Sequence, residues 1–323
     1  MDPSSTSESP SSAGAGGNEA FQLLSDETRI GILRVLWDAH DPAQETPVRF
    51  ADLRERLGVE DPGRLNYHLN KLIDRFVRRT DAGYELMDSG KRVVRMLLSG
   101  TAIDNPEIDP VAVDISCWYC GGGVEWSYRD GWRYLECTSC DARCVESFPP
   151  GVISKNEFPP SGLRDRTPNE INEADRVWGA HRRASVMDGV CPECAGDMPV
   201  TAIDICEDHR PDWDEYQFCE NCGSIFRMLV SHVCEGCKYR WRMPTLFYPS
   251  RQSALIAFFY EHGVEFDLAT YEQRTLLLDF EEDLVSMDPL RIRISIPLEN
   301  EVLQFTYDER MELMKESRRE RQP

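Results

Sequence analysis

Apolar side chains recur along residues 18–100 with the spacing of helix faces. Ile30, Leu33, Leu36 and Trp37 define one such face, in a helix that Ser25 can cap after a short apolar segment of Ala20, Phe21, Leu23 and Leu24. Past a loop with Pro42 and Pro47, the stretch FADLRERL predicts a short helix from about Phe50 to Leu57, stopped by Gly58. The next helix starts with Asp61 as N-cap and Pro62 in the first helical position. Leu65, Leu69 and Leu72 give it an apolar stripe, while Arg64, Tyr67, Asn70 and Lys71, with Asn66 beside them, form the opposite face. Those polar groups can bond base edges and phosphates. Taken alone, however, the stretch is an ordinary amphipathic surface helix. Phe76–Thr80 and Tyr84–Met87 then flank Asp81-Ala82-Gly83 as a hairpin, and a last helix from about Asp88 to Leu98 carries Val93, Val94, Leu97 and Leu98.

The pattern changes after residue 100. Val124, Trp126 and Tyr128 alternate on one side of Asp130-Gly131, a tight-hairpin signal. A connecting segment with Pro-Pro at 149–150 and 159–160 leads to a helix with a capping box, Thr167 and Glu170 around Pro168. Ile171, Ala174 and Trp178 are its apolar face. Ser250–His262 reads as a helix with Phe258 and Phe259, stopped by Gly263. Ile292, Ile294 and Ile296 alternate with Arg291, Arg293 and Ser295, and after LENE Leu303, Phe305 and Tyr307 alternate again, a second hairpin. The whole reads as an α+β multidomain chain. Its segments are a disordered Ser/Gly/Pro-rich tail (1–17), a helix and hairpin domain (18–100), a cysteine hairpin module (101–148), a linker with a helix (149–189), a repeated cysteine region (190–243) and a small C-terminal α+β module (244–323).

Charge sharpens this division. The net charge is −21, with only five lysines among 36 basic residues, a composition like that of halophilic proteins. Residues 18–100 carry a net charge of −1 and residues 101–323 one of −18, while Arg64–Arg79 holds five basic residues against Asp74. That strip is where a polyanion can dock. In molar salt the Debye length is about 3 Å, so contact geometry matters more there than long-range steering. No apolar run approaches the roughly 20 residues of a membrane span, and the start has no signal peptide, so the expectation is a cytoplasmic protein without membrane contact.

The twelve cysteines fall mostly in C-x2-C pairs, which points to metal ligands rather than disulfides. Cys117/Cys120 and Cys137/Cys140 flank the first hairpin, the zinc-ribbon arrangement, with Cys144 left as a buried or spare thiol. Cys191, Cys194, Cys206 and His209 recur 28 residues later as Cys219, Cys222, Cys234 and Cys237. The repeat favours tandem sites, one with three cysteines and His209 and one with four cysteines. Cross-braced pairing, or one site from 191/194 with 219/222, remains open, and Glu207 or Asp208 could replace His209. Trp213, Tyr216, Phe218 and Phe226 are expected to cover these modules. Three structural Zn2+ per chain follow. Closed four-ligand sites leave no position for catalytic water. His181 is followed by Arg182 and Arg183, so the HxE of zinc deaminases is missing. The repeated hairpins also lack the strand-to-helix junction expected of a redox C-x2-C.

FQLLSDETRIGILRVL, LNYHLNKL and GYELMDSGKRV together resemble the opening helices, the recognition helix, and the second wing strand with its following helix in winged helix-turn-helix regulators of the ArsR type. The resemblance covers about 80 residues. It implies that Arg64, Asn66, Tyr67 and Asn70 face bases, that Lys71, Arg78 and Arg79 hold phosphates, and that His68 packs. It also implies a homodimer, with Phe21, Val94, Leu97 and Leu98 toward the partner and two recognition helices about one DNA turn apart on a pseudo-palindrome. Metal-sensing members carry cysteines in the helix before the recognition helix; FADLRERL has none. The expected function is therefore sequence-specific transcription regulation on double-stranded DNA, with the acidic half open to a protein partner. The competing readings are a protein-interaction adaptor and, further off, a zinc- or redox-dependent enzyme.

Overall fold

In a computed structural model, residues 22–44, 46–100, 104–141, 143, 147–210, 219–264 and 279–321 are described. The 1–17 tail, Ala20, Phe21, Cys144, Trp213, Tyr216 and Phe218 lie outside them. The chain is mixed α+β and divides into two compact units, residues 1–104 and 105–323. Among the described residues, no helix is long and apolar enough to cross a membrane.

In the first unit, helices α1 (Glu27–Asp38), α2 (Phe50–Leu57) and α3 (Pro62–Leu72) precede a hairpin of β1 (Val77–Thr80) and β2 (Gly83–Leu86), and α4 (Asp88–Ser99) closes it. Ile32, Leu33, Leu36, Leu53, Leu65, Leu69, Leu72, Val77 and Val94 are buried in one core. The cap of α1 is Asp26, whose carboxylate accepts from Arg29 N at 3.1 Å; Ser25 instead bonds back to Gln22 O. A carboxylate one residue closer reaches the free N–H groups and adds a favourable charge at the helix start. Asp61 caps α3 and accepts from Gly63 N at 2.8 Å. Val48 bonds both ways with Tyr84, which brings the backbone so near Gly83 that a Cβ there would stand 2.4 Å from Val48 O. The start of α4 is equally tight, since a Cβ on Gly90 would lie 2.2 Å from Phe76 O.

Among the described residues, the second unit holds three antiparallel sheets. The first is β3 (Ile108–Ser116), β4 (Gly123–Arg129), β5 (Trp132–Cys137) and β6 (Val152–Glu157), in that spatial order. Asp130 and Gly131 take φ of 53° and 77°, the paired positive angles of a type I′ turn. β6 falls in the expected linker and β3 ahead of the cysteines, so the module is larger than the hairpin alone. Helix α5 (Pro168–Met187) has the capping box, with Thr167 N donating to Glu170 Oε2 at 2.7 Å. Ile171 is buried, whereas Trp178 is exposed and stands near the Arg182 guanidinium. Asp175 takes the inward position instead, fully buried against Arg133 of β5 and accepting from Asn156 Nδ2 at 3.0 Å. The second sheet is β7 (Val200–Ile205), β8 (Met228–Val233) and β9 (Arg240–Pro244). A 3-10 segment (Thr245–Arg251) and α6 (Ser253–Glu261) lead to the third sheet, β10 (Glu281–Met287), β11 (Leu290–Leu298), β12 (Glu301–Tyr307) and β13 (Leu313–Glu320). Ile292, Ile294 and Ile296 face Tyr307, Phe305 and Leu303 across β11 and β12. One core joins Met228, Val230 and Met243 to Phe258, Phe259, Ile294 and Phe305, so the second and third sheets share an interior.

Two glycines on helices should respond oppositely to alanine. Alanine in a helix interior is normally favoured over glycine by about 1 kcal/mol. At Gly179 of α5 the nearest group to a new Cβ is Asn156 Nδ2 at 3.7 Å, ordinary contact, so Gly179→Ala is expected to raise stability by up to that amount. Gly90→Ala collides with the Phe76 carbonyl and should cost roughly 1–3 kcal/mol. Denaturant midpoints of the two variants check both signs.

A pH effect follows from half-buried Glu282. Burial pushes its carboxyl up to about 7, against the opposing hydrogen bond from Thr245 and the nearby Arg227 charge. Its contribution is fully present below the unfolded value of about 4.3 and is lost as pH rises through the folded value. Between pH 5 and 8 the wild type should lose stability relative to Glu282→Gln; parallel curves would refute this.

Candidate metal centres and candidate nucleic-acid interface

Four of the six ligand pairs are turns of one design. In Cys117–Gly122, Cys191–Gly196, Cys219–Ser224 and Cys234–Tyr239 the first cysteine N donates to the carbonyl five residues on, at 2.8–3.0 Å. The residue four positions after that cysteine bonds back to its carbonyl and has positive φ: Gly121, Ala195, Gly223 and Lys238. The turn folds both sulfurs to one side and aims backbone N–H groups at them, as with Gly122 N on Cys120 Sγ and Cys237 N on Cys234 Sγ, both at 3.4 Å. Of the other two pairs, Cys137/Cys140 begins on the last residue of β5 and Cys206/His209 follows the end of β7.

These pairs gather into three groups whose ligand atoms lie within 4.8 Å of one another: Cys117, Cys120, Cys137 and Cys140; Cys191, Cys194, Cys234 and Cys237; Cys206, His209, Cys219 and Cys222. Every ligand expected from the sequence is present, and Glu207 and Asp208 are in none of the groups. The sulfurs are free thiols rather than disulfides. A tetrahedral centre with metal–sulfur bonds of about 2.3 Å has sulfurs about 3.8 Å apart, and a sulfur and an imidazole nitrogen about 3.5 Å apart. Sγ separations of 3.9 and 3.6 Å in the first group and 3.6 and 3.5 Å in the second match. So do the third group's 4.0 Å between Cys206 and Cys219 and 3.5 Å between Cys222 Sγ and His209 Nδ1. All three groups could hold a metal ion.

The tandem pairing is corrected. Cys191/Cys194 meets Cys234/Cys237 around the outside, and Cys206/His209 meets Cys219/Cys222 within, a nested order that is neither tandem nor cross-braced. Each repeat is a turn followed by a strand, and the two strands pair antiparallel, Val200 opposite His232 and Ile205 opposite Met228. The start of one repeat therefore meets the end of the other.

Protonation supports ligation. His209 Nε2 lies 3.2 Å from Ile225 O, which can only accept, so Nε2 carries the proton and Nδ1 offers its lone pair. Burial holds the imidazole pKa below its ordinary value and keeps it neutral. The backbone N–H of Cys237 pulls the Cys234 thiol down to about 6, against its burial, so that group carries a thiolate at neutral pH. The Ile225 carbonyl and the positive-φ turn residue had no sequence signal beyond the glycines at 121 and 223.

On the first unit, Arg64, Asn66, Tyr67, Asn70 and Lys71 are exposed on α3, opposite buried Leu65, Leu69 and Leu72. Lys71 Nζ stands 5.7 Å from the Tyr67 ring centroid. Arg78 and Arg79 are exposed on β1; Arg78 pairs with Glu85 across the hairpin at 2.8 Å, and Arg79 lies over the Tyr84 ring at 5.9 Å. His68 is buried, its Nδ1 3.3 Å from Asp26 Oδ1, in a packing position. Val94 is fully buried in the unit's own core and has no surface for a partner; Leu97 is half-buried, and Met96 and Leu98 are exposed.

Metal analysis is expected to find three tightly held ions per chain. The nested order gives a test by paired substitution. Cys191→Ser with Cys237→Ser should release one ion and leave two, whereas Cys191→Ser with Cys206→Ser should disrupt two groups and leave one. Tandem pairing reverses those stoichiometries.

Residues 114–313 match the family model described as a domain of unknown function, DUF7351, and residues 17–97 match that of a second domain of unknown function, DUF7347. Comparison with curated proteins gives no match, and neither does comparison with solved structures. With well over half its length inside the first match, the chain belongs to the DUF7351 family.

Proposed function

We propose that this chain is a sequence-specific DNA-binding transcription regulator, with a winged helix-turn-helix of ArsR-like type in its first unit and Zn2+ in each of the three ligand groups of its second. The observation that carries the reading is the division of α3. Its leucines are buried, its polar row is exposed, and a hairpin with two exposed arginines follows directly. A helix so placed can enter a major groove while the hairpin reaches the flanking backbone. Arg64, Asn66, Tyr67 and Asn70 would read base edges, and Lys71, Arg78 and Arg79 would hold phosphates. Arg78 must share itself with Glu85, so its phosphate contact is the weaker of the pair. Thiolate-rich tetrahedral groups suit Zn2+ best among common ions, and closed sites suit a structural role. The protein acts as a homodimer in this reading, with Leu97, Leu98 and Met96 of α4 as the apolar contribution, and the acidic second unit is open to a protein partner.

Selection of bound fragments from the source genome by the full chain should give a pseudo-palindromic site. On that site, Asn70→Ala is expected to weaken binding by about 1–3 kcal/mol and relax the preference at one position. Lys71→Ala should weaken binding to all sequences alike and lower the salt slope by about one. If selection yields no common site, or Arg64→Ala and Lys71→Ala leave occupancy unchanged, the reading fails.

A further inference from the structure

One cavity of the second unit lies outside all three ligand groups. It has a volume of about 320 Å³, within the roughly 300–1,000 Å³ of small-molecule sites. Its walls come from β6 and β9, each the outermost strand of its sheet, and from α5. Half-buried rings line it, among them Trp118, Trp132, Phe226, Trp241 and Phe247.

Its charge runs against its surroundings. Residues 101–323 are strongly acidic, yet the lining has five basic residues, among them Lys155, Arg183 and Arg240, and two acidic ones. Both acids are engaged within the protein, Asp175 by Arg133 and Asn156, and Glu157 by Arg182 at 3.1 Å. Of the bases, Arg176 is paired with Glu173 and Arg242 with Asp204, so the role of ligand partner falls to Lys155, Arg183 and Arg240. Lys155 Nζ stands 4.4 Å from the Trp132 ring centroid, so cation and ring face are presented together. Gly179 lies on the wall in the middle of α5, where no neighbouring atom forbids a side chain. What the missing side chain leaves is room in the cavity.

We propose that this cavity binds a small organic anion with a planar apolar body, of the aromatic carboxylate class. The rings take the flat body, and the basic lining takes the charged group. Desolvated between rings, a cation holds a carboxylate by contact, which salt screens less than it screens long-range attraction. This goes beyond the DNA-binding reading and stands or falls separately from it.

The test is calorimetric titration of the metal-loaded full chain with 2-naphthoate and with its neutral amide, 2-naphthamide. One site per chain is expected for the acid, with a Kd of about 1 mM or tighter, and at least tenfold weaker binding of the amide. Lys155→Gln should weaken naphthoate about tenfold and change naphthamide less than threefold. Gly179→Phe should abolish binding of both while circular dichroism and metal content stay as in the wild type. No binding of naphthoate to the wild type, equal affinity for acid and amide, or naphthoate binding that survives Gly179→Phe with its fold intact would each overturn the proposal. Should Gly179→Phe not fold, the Lys155→Gln comparison decides alone.

Discussion

Ligand atoms held 3.5–4.0 Å apart in groups of four, all sulfur in two groups and three sulfurs with His209 Nδ1 in the third, are the constraint on which the second unit depends. Two thiolates at about 3.6 Å repel by about 5 kcal/mol even at an effective dielectric constant of 20. A set of four can ionise together only around a cation. With a cation in place, each group ties together segments far apart in sequence, the longest reach running from Cys191 to Cys237. Cys191 and Cys234 are also members of the apolar core that contains Val230, Phe258 and Phe305. An ion bound there would make ligation and core packing one cooperative event, as in small domains whose folding is linked to metal binding.

The nested order follows from strand direction. Two repeats that pair antiparallel must bring outer turn to outer turn and inner to inner, whatever their similarity in sequence. With about 3.3 Å per residue, the six residues of β7 separate the two centres by roughly 20 Å. One centre therefore pins each end of the same hairpin. β8 buries Met228 and Val230 against the third sheet, so the hairpin is also the floor of the C-terminal core. The segment boundary expected at 243/244 falls within this shared core.

Local signals in the sequence carried much of the first unit. The leucine spacing of α3, its Asp61-Pro62 start and the Gly58 stop are decided within one or two turns, and the structure has them. Asp130-Gly131 and the Thr167 capping box are equally local. All twelve ligand residues were legible too, because chelation needs particular atoms. What the sequence hid was set by distant partners. β6, reading VISKNE, has polar residues on an outer strand and declares itself only through its pairing with β5. The inward turn of Asp175 depends on Arg133, 42 residues earlier, so the helix face read from Ile171, Ala174 and Trp178 was off by part of a turn. Val94, placed toward a partner by the resemblance to ArsR-type regulators, went to the core, since an apolar helix face does not name what covers it.

The cavity and the metal centres share their walls. Trp118 and Tyr119 lie between Cys117 and Cys120, inside the first centre's turn, and both line the cavity. Tyr239 accepts, through its carbonyl, the hydrogen bond that closes the Cys234 turn, and it begins the wall that continues to Trp241. Phe226 follows Ile225, whose carbonyl orients His209 in the third centre. Arg182 ties the walls together, bonding Tyr239 Oη at 2.8 Å and Glu157 of β6 at 3.1 Å. Each of the three centres thus fixes the backbone of at least one cavity residue. An ion that orders those turns lowers the ordering cost that a cavity ligand would otherwise meet. By linkage, a ligand packed against the same rings must strengthen retention of the ions.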